Sequence, residues 1–251
     1  MAALARRRDP ARAAAAAAGY VARSALKLEW LLGKAPALAP RGGAVLDLGS
    51  APGAWLQVVC RKGLGDGRGG AVVGVDLAPF PVPRRHCDGR ARAVVGDALR
   101  LTPAGVREMV GTQGGATGGG GANAPPSPPL LFFDSVLSDM CHPTTGIASV
   151  DVVRSAALAA AAARLAVGRE DASDGDSPLA LPLGFTTPWP PGDRLLAPVG
   201  AFAAKLLDGG APTAALVASL TPFFARVRLL RPPATRTASR EVYIVGEGFV
   251  V

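Results

Sequence analysis

Short apolar runs that close on an acidic or small residue recur along the chain, and longer alanine- and leucine-rich stretches separate them. The first such run, 44–48, predicts a strand followed by a tight turn of small residues. Similar runs predict strands at 71–75, closing on Asp76, at 93–95, closing on Gly96 and Asp97, and at 131–137, closing on Ser138 and Asp139. Three more are predicted at 199–206, 225–230 and 242–245. Helical patterning covers 11–32, with a break near Gly19, then 52–61, 150–166 and 212–220. Strands alternating with helices predict an α/β fold whose mostly parallel sheet is covered on both faces. Acidic residues therefore gather at the carboxyl ends of the strands, where such sheets bind ligands.

Two segments break this pattern. Residues 111–129 are rich in Gly and Pro, and residues 168–193 are acidic and then Pro-rich. Neither holds enough apolar surface to offset its ordering entropy, so both read as flexible insertions. A chain of 251 residues suits one domain, 1–251, with residues 1–19 as a basic N-terminal arm. Hydrophobic residues make up 49%, enough for a substantial core, and the net charge of +8 favours an anionic partner, above all nucleic acid. The same charge argues against a small-molecule enzyme. The apolar stretches are broken by Arg, Pro and Gly, so none reads as a membrane span. The first twelve residues carry four arginines, Arg6, Arg7, Arg8 and Arg12, against one acid, Asp9. That composition suits an organelle transit peptide or an RNA-facing arm equally well. Cys60, Cys87 and Cys141 are widely spaced and form no C-x-x-C pair, so neither a zinc site nor a disulfide framework is expected, and Cys60 reads as a core thiol.

The candidate chemistry starts at Val45-Leu46-Asp47-Leu48-Gly49-Ser50-Ala51-Pro52-Gly53-Ala54-Trp55. Small residues in the turn let backbone approach a ligand closely, and Pro52 is expected to open the following helix. The run is not the G-x-G-x-x-G of dinucleotide sites. With Trp55 beside the turn, it points instead to S-adenosylmethionine (AdoMet). Four other runs place a charge inside an apolar element: 20–28 with Lys27, 137–140 with Asp139, 203–207 with Lys205, and 239–243 with Glu241.

Together with the glycine turn, these runs resemble the FtsJ/RrmJ family of AdoMet-dependent RNA ribose 2′-O-methyltransferases, from about Asp9 to Phe249 outside the two insertions. The motifs are most similar to the organellar, mitochondrial-type branch, although Cys141-His142-Pro143 departs from the bacterial pattern. The resemblance implies a Rossmann-like methyltransferase fold: seven strands, mostly parallel, with one antiparallel strand near an edge. It implies a catalytic tetrad of Lys27, Asp139, Lys205 and Glu241. It places Gly53 and Trp55 at the methionine end of AdoMet, Asp76 at its ribose, Asp97 at its adenine, and Asp139 against the methionine portion as well. No metal is implied. The expected substrate is a uridine ribose in large-subunit rRNA or a pre-ribosomal particle, bound by a monomer in a mitochondrion or chloroplast. A tRNA or cap methyltransferase, or an assembly factor without turnover, is the alternative.

Within the tetrad, Lys205 is the candidate to take or stabilise the hydroxyl proton. Burial beside Lys27 would lower its pKa, while Asp139 and Glu241 oppose that shift. Asp47 is expected to order the glycine turn. Arg6, Arg7, Arg8, Arg12, Arg23, Lys34, Arg236 and Arg240 are the candidate RNA contacts.

Overall fold

The computed structural model describes residues 9–64, 69–112, 132–168, 193–233 and 240–250. Helices α1 (Pro10–Ala17) and α2 (Ser24–Leu32) lead into β1 (Ala44–Leu48) and α3 (Ala54–Val59). Then come β2 (Ala71–Asp76), β3 (Ala91–Val95), α4 (Pro103–Thr112), β4 (Phe133–Ser138) and α5 (Ala148–Val167). The chain closes with β5 (Leu196–Leu207), α6 (Gly210–Leu220), β6 (Phe224–Leu230) and β7 (Glu241–Phe249). The strands form one seven-stranded sheet in the order β3-β2-β1-β4-β5-β7-β6. Strands β1 to β5 pair in parallel, and β7 runs antiparallel between β5 and β6. This is the Rossmann-like methyltransferase architecture expected from the sequence.

The alternation of strand side chains decides which residues share a face. Leu46 and Leu48 of β1, Phe202, Ala204 and Leu206 of β5, and Val242 and Ile244 of β7 pack in one core with α4, α5 and α6. Alanines of α5, among them Ala159, Ala160, Ala162 and Ala163, are small enough to lie close against that face. The opposite core holds Val45, Leu137, Ala201, Ala203, Tyr243 and Val245 with α1, α2 and α3. A period of two then puts Asp47, Asp139, Lys205 and Glu241 on this second side, facing α2 and its Lys27.

Several boundaries differ from expectation. The third helix starts at Ala54, because Gly53 is its cap at φ 96° and Pro52 stays in the turn. It then widens into a π turn over Cys60–Leu64. Helix α4 was not foreseen: its sequence, PAGVREMVGT, carries two glycines and few apolar residues. It also occupies Gly111 and Thr112, the start of the first expected insertion. Of the second insertion only the ends are described, Gly168 capping α5 and Asp193 pairing with Arg107 at 2.6 Å; the rest of both insertions, like Arg6, Arg7, Arg8 and Arg236, lies outside the described residues. Strand β5 begins at Leu196 and β7 continues to Phe249, each beyond its expected bounds, because the neighbouring strands keep pairing there. Cys60 and Cys87, distant in sequence, meet with their Sγ atoms 3.1 Å apart. Among the described residues no helix is long and apolar enough to cross a membrane, and no group of three or more His, Cys, Asp or Glu is placed to hold a metal ion.

Candidate active site

The turn after β1 is held from three sides. Gly49 and Ser50 donate their N–H groups to Val75 O at 2.9 and 3.2 Å, and Ala51 N–H donates to Asp76 Oδ2 at 2.9 Å. Gly49 adopts φ 75°, and a Cβ there would come within 2.8 Å of Met140 Cα. Gly53 adopts φ 96° with Pro83 directly against it. Glycine at both positions thus satisfies both the left-handed backbone and the lack of room.

Asp47 lies beneath the turn with no exposed surface. Its Oδ2 accepts from the Ser50 hydroxyl at 2.6 Å, while Oδ1 is buried without a hydrogen-bond partner among the described residues. Burial pushes its pKa up to about 8; the Ser50 bond opposes this, and the charges of Asp139 and Asp76 add to it. Folding therefore takes up a proton at Asp47 between its ordinary value of 3.8 and about 8, so its contribution to stability is lost as pH rises through that window. Asp47→Asn does not titrate. Its thermal midpoint in ligand-free calorimetry should exceed that of the native protein by a margin that is small at pH 4 and grows up to pH 8. A constant margin across that range would remove the titration from Asp47.

Asp76 accepts from Ala51 and, through Oδ1, from Ala78 N–H at 3.0 Å. Asp97 Oδ1 accepts from Leu99 N–H at 3.0 Å, and Gly96 N–H to Asp76 O ties the ends of β2 and β3 together. The carboxyl ends of β1, β2, β3 and β4 thus present acidic side chains around one glycine turn. That set matches AdoMet, whose sulfonium and ammonium are cations and whose ribose hydroxyls and adenine amino group are donors. Asp47 Oδ1, without a hydrogen-bond partner among the described residues, is a polar atom already desolvated beneath the turn. Trp55 is placed differently from the simplest expectation. It is 2% exposed, its Nε1–H donates to Ser24 O at 3.0 Å, and its ring lies 5.7 Å from that of Tyr243. It forms a floor joining the turn to α2 and β7.

The tetrad assembles as two ion pairs. Lys27 pairs with Glu241 Oε1. Lys205 Nζ lies 3.0 Å from Asp139 Oδ1 and donates to Asp139 O at 2.6 Å. Register explains the meeting: Lys205 is opposite Tyr243, Leu207 is opposite Glu241, and Asp139 follows the pairing of Ser138 with Ala204. Tyr243 links the pairs, its hydroxyl within 2.8 Å of Asp139 Oδ1 and 3.2 Å of Glu241 Oε1. Burial, reinforced by both carboxylates, raises the Tyr243 pKa well above its ordinary value and keeps it a donor. Burial opposes the charge on Lys205, but Asp139, then Cys141 and Glu241, outweigh it and raise its pKa. The carboxylates, rather than the cation Lys27, thus set the direction of the shift. The resting side chain is an ammonium.

Sequence reasoning missed Tyr243 and Gln57. Tyr243 could have been found from its place two residues after Glu241, on the same strand face. Gln57, fully buried, accepts from Val21 N–H at 2.8 Å and donates to Gly19 O and Arg85 O. It clamps the α1–α2 corner to α3 and to the connection after β2. Of the expected RNA contacts, Arg23 pairs with Asp9, Arg240 donates to Asp208 O, and Lys34 lies over the Trp30 ring. Arg12 is exposed. Cys141 is exposed, and both ring nitrogens of His142 are buried without a hydrogen-bond partner among the described residues.

A family model described as FtsJ-like methyltransferase matches residues 20–249. The chain belongs to that family. FtsJ-like methyltransferases are enzymes that use AdoMet, and the turn and carboxylates above are the groups that would hold it. Ribosomal RNA large subunit methyltransferase E of Desulfatibacillum aliphaticivorans is 33% identical over 229 residues, covering 91% of this chain and 84% of that protein. The protein of the same name from Granulibacter bethesdensis is 34% identical over 243 residues, covering 96% and 80%. In fold, the chain is similar to the crystal structure of a Plasmodium falciparum protein described as a ribosomal RNA methyltransferase. The TM-score is 0.61 at 18% identity, covering 92% of this chain and 98% of that one.

Proposed function

We propose that this FtsJ-like methyltransferase methylates the 2′-hydroxyl of a uridine ribose in large-subunit rRNA and so supports ribosome biogenesis. The observation that carries the reading is the tetrad itself. Two lysines and two carboxylates, bridged by Tyr243, lie on the same face of the sheet as Asp47 of the glycine turn. The names of the bacterial relatives, which describe large-subunit rRNA methyltransferases, support the substrate class. The net charge of +8 supports a polyanionic one.

AdoMet supplies a methyl group activated by its sulfonium. The chain must then align the acceptor hydroxyl, remove its proton and exclude water. Lys205 donates to the acceptor oxygen and orients its lone pair. Asp139 holds Nζ through both its carboxylate and its backbone carbonyl. Because the resting Lys205 is charged, only its neutral fraction can accept the hydroxyl proton. Lys27, fixed by Glu241, gives the ribose or its phosphate a second positive partner. Trp55 and Tyr243 form the dry floor beneath.

On the cofactor side, Asp97→Ala should weaken AdoMet binding by about 1–3 kcal/mol, the cost of leaving a donor without its acceptor. Titration calorimetry checks this, and an unchanged affinity would move the adenine contact elsewhere. An organellar location is part of the proposal, supported by the composition of residues 1–12 and by the resemblance of the motifs to organellar sequences; expression of a fluorescent fusion tests it. For the substrate, purified protein is offered large-subunit rRNA, pre-ribosomal particles, tRNA and capped transcripts with radiolabelled AdoMet. Labelling confined to large-subunit rRNA or its particles is expected. Preferential labelling of tRNA or caps would replace the substrate, and no labelling of any RNA would leave an assembly factor.

A further inference from the structure

We propose that Cys60 and Cys87 form a reversible dithiol–disulfide pair that staples the connection between β2 and β3 to the π turn after α3. The two Sγ atoms lie 3.1 Å apart, so a covalent bond of about 2.05 Å needs an approach of only about 1 Å. Both cysteines are reduced here, Cys60 buried at 4% exposure and Cys87 half-buried. The environment also divides the work between them. The hydrogen bond from Cys60 lowers the Cys87 pKa, while the same bond and burial raise that of Cys60. Cys87 is thus the more accessible and more nucleophilic sulfur, and Cys60 resolves.

The oxidant class is a low-molecular-weight disulfide. The Cys87 thiolate attacks one of its sulfurs, forming a mixed disulfide and releasing one small thiolate. The Cys60 thiol, on losing its proton, attacks the Cys87 sulfur and expels the second thiolate, which takes that proton. Two protein thiols are oxidised, one small disulfide is reduced to two thiols, and no other reactant is needed.

The position gives the bond its consequence. The segment that holds Cys87 also carries Pro83, which packs against Gly53 of the cofactor turn, and Phe80 beside it. His86 Nε2 lies 3.1 Å from Ala18 O, the His86 ring packs on Tyr20, and Gln57 donates to Arg85 O. These contacts are noncovalent and local. A Cys60–Cys87 bond closes the stretch that contains β2 and Asp76 and fixes the wall of the cofactor turn to α3. The proposal concerns thiol chemistry alone and stands apart from the substrate reading.

The test equilibrates the full chain in buffers spanning reduced to oxidised glutathione, followed by denaturing alkylation and non-reducing peptide mass mapping. Oxidised buffer should remove two alkylatable thiols together, yield a Cys60–Cys87 linked peptide, and leave Cys141 free. The thermal midpoint should rise by roughly 5 to 10 °C on oxidation and return with dithiothreitol. Cys87→Ser, at the half-buried position, should fold as the native chain does and lose both the linked peptide and the shift; Cys60→Ser should lose them too. Three thiols still alkylatable in oxidised glutathione would overturn the proposal. So would a linked peptide containing Cys141, or a stable glutathione adduct at Cys87 that Cys60 never displaces.

Discussion

Lys205→Ala should lower methyl transfer by roughly 10²–10⁴-fold, the range of a positioned proton-transfer group, while AdoMet affinity stays within a few-fold. The asymmetry follows from the geometry. Lys205 reaches Asp139 from β5, whereas the turn that would receive AdoMet is built from β1, α3 and the end of β2. Lys205→Arg should not restore turnover, because a planar fork cannot replace a compact ammonium between the two Asp139 oxygens. The raised pKa of Lys205 adds a second signature. Native turnover should keep climbing through the alkaline range as its neutral fraction grows, and the Ala variant should lose that climb. Single-turnover kinetics with calorimetry for binding measures all three quantities. Near-normal turnover in the Ala variant would remove Lys205 from the chemistry.

Gly49→Ala carries the second large effect. The new methyl would lie 2.8 Å from Met140 Cα and 2.9 Å from Met140 N, backbone that cannot rotate aside. The residue would also hold φ 75° with a Cβ. Left-handed strain of about 1–2 kcal/mol and overpacking of about 1–3 kcal/mol together predict a loss of roughly 2–5 kcal/mol. Because Met140 follows Asp139, relief of the clash displaces the tetrad as well as the turn. The variant should therefore lose stability, AdoMet affinity and turnover together, unlike Lys205→Ala. Thermal unfolding and calorimetry on one preparation distinguish the two patterns, and an unperturbed Gly49→Ala protein would refute the close packing of β1 against β4.

The sheet was largely legible because each of its strands carries a short apolar run with a distinct end. Asp76, Asp97 and Asp139 could be placed at strand ends for the same reason. Helix α4 was not legible: its two glycines and low apolar content leave only the short spacing of Val106, Met109 and Val110 as a signal, and burial of Val106 and Val110 against the sheet stabilises it from outside. Trp55 was assigned to the turn from adjacency alone. The first turn of α3 rotates its indole inward to Ser24 and Tyr243, a direction that only the packed helix defines. The direction of the Lys205 shift was also beyond sequence. It depends above all on Asp139 reaching Lys205 Nζ, a contact between residues 66 positions apart. The nearness of Cys60 and Cys87 depends likewise on how the connection after β2 folds back over α3.

The proposed delivery of a methyl group by this tetrad to a ribose hydroxyl is tested by locating the methyl in the product. Large-subunit rRNA methylated by the purified protein with isotopically labelled AdoMet is digested to nucleosides and, in parallel, hydrolysed in alkali. Labelled 2′-O-methyluridine and an alkali-resistant dinucleotide are expected, both lost with Lys205→Ala. Label on a base, with every phosphodiester still alkali-labile, would contradict it.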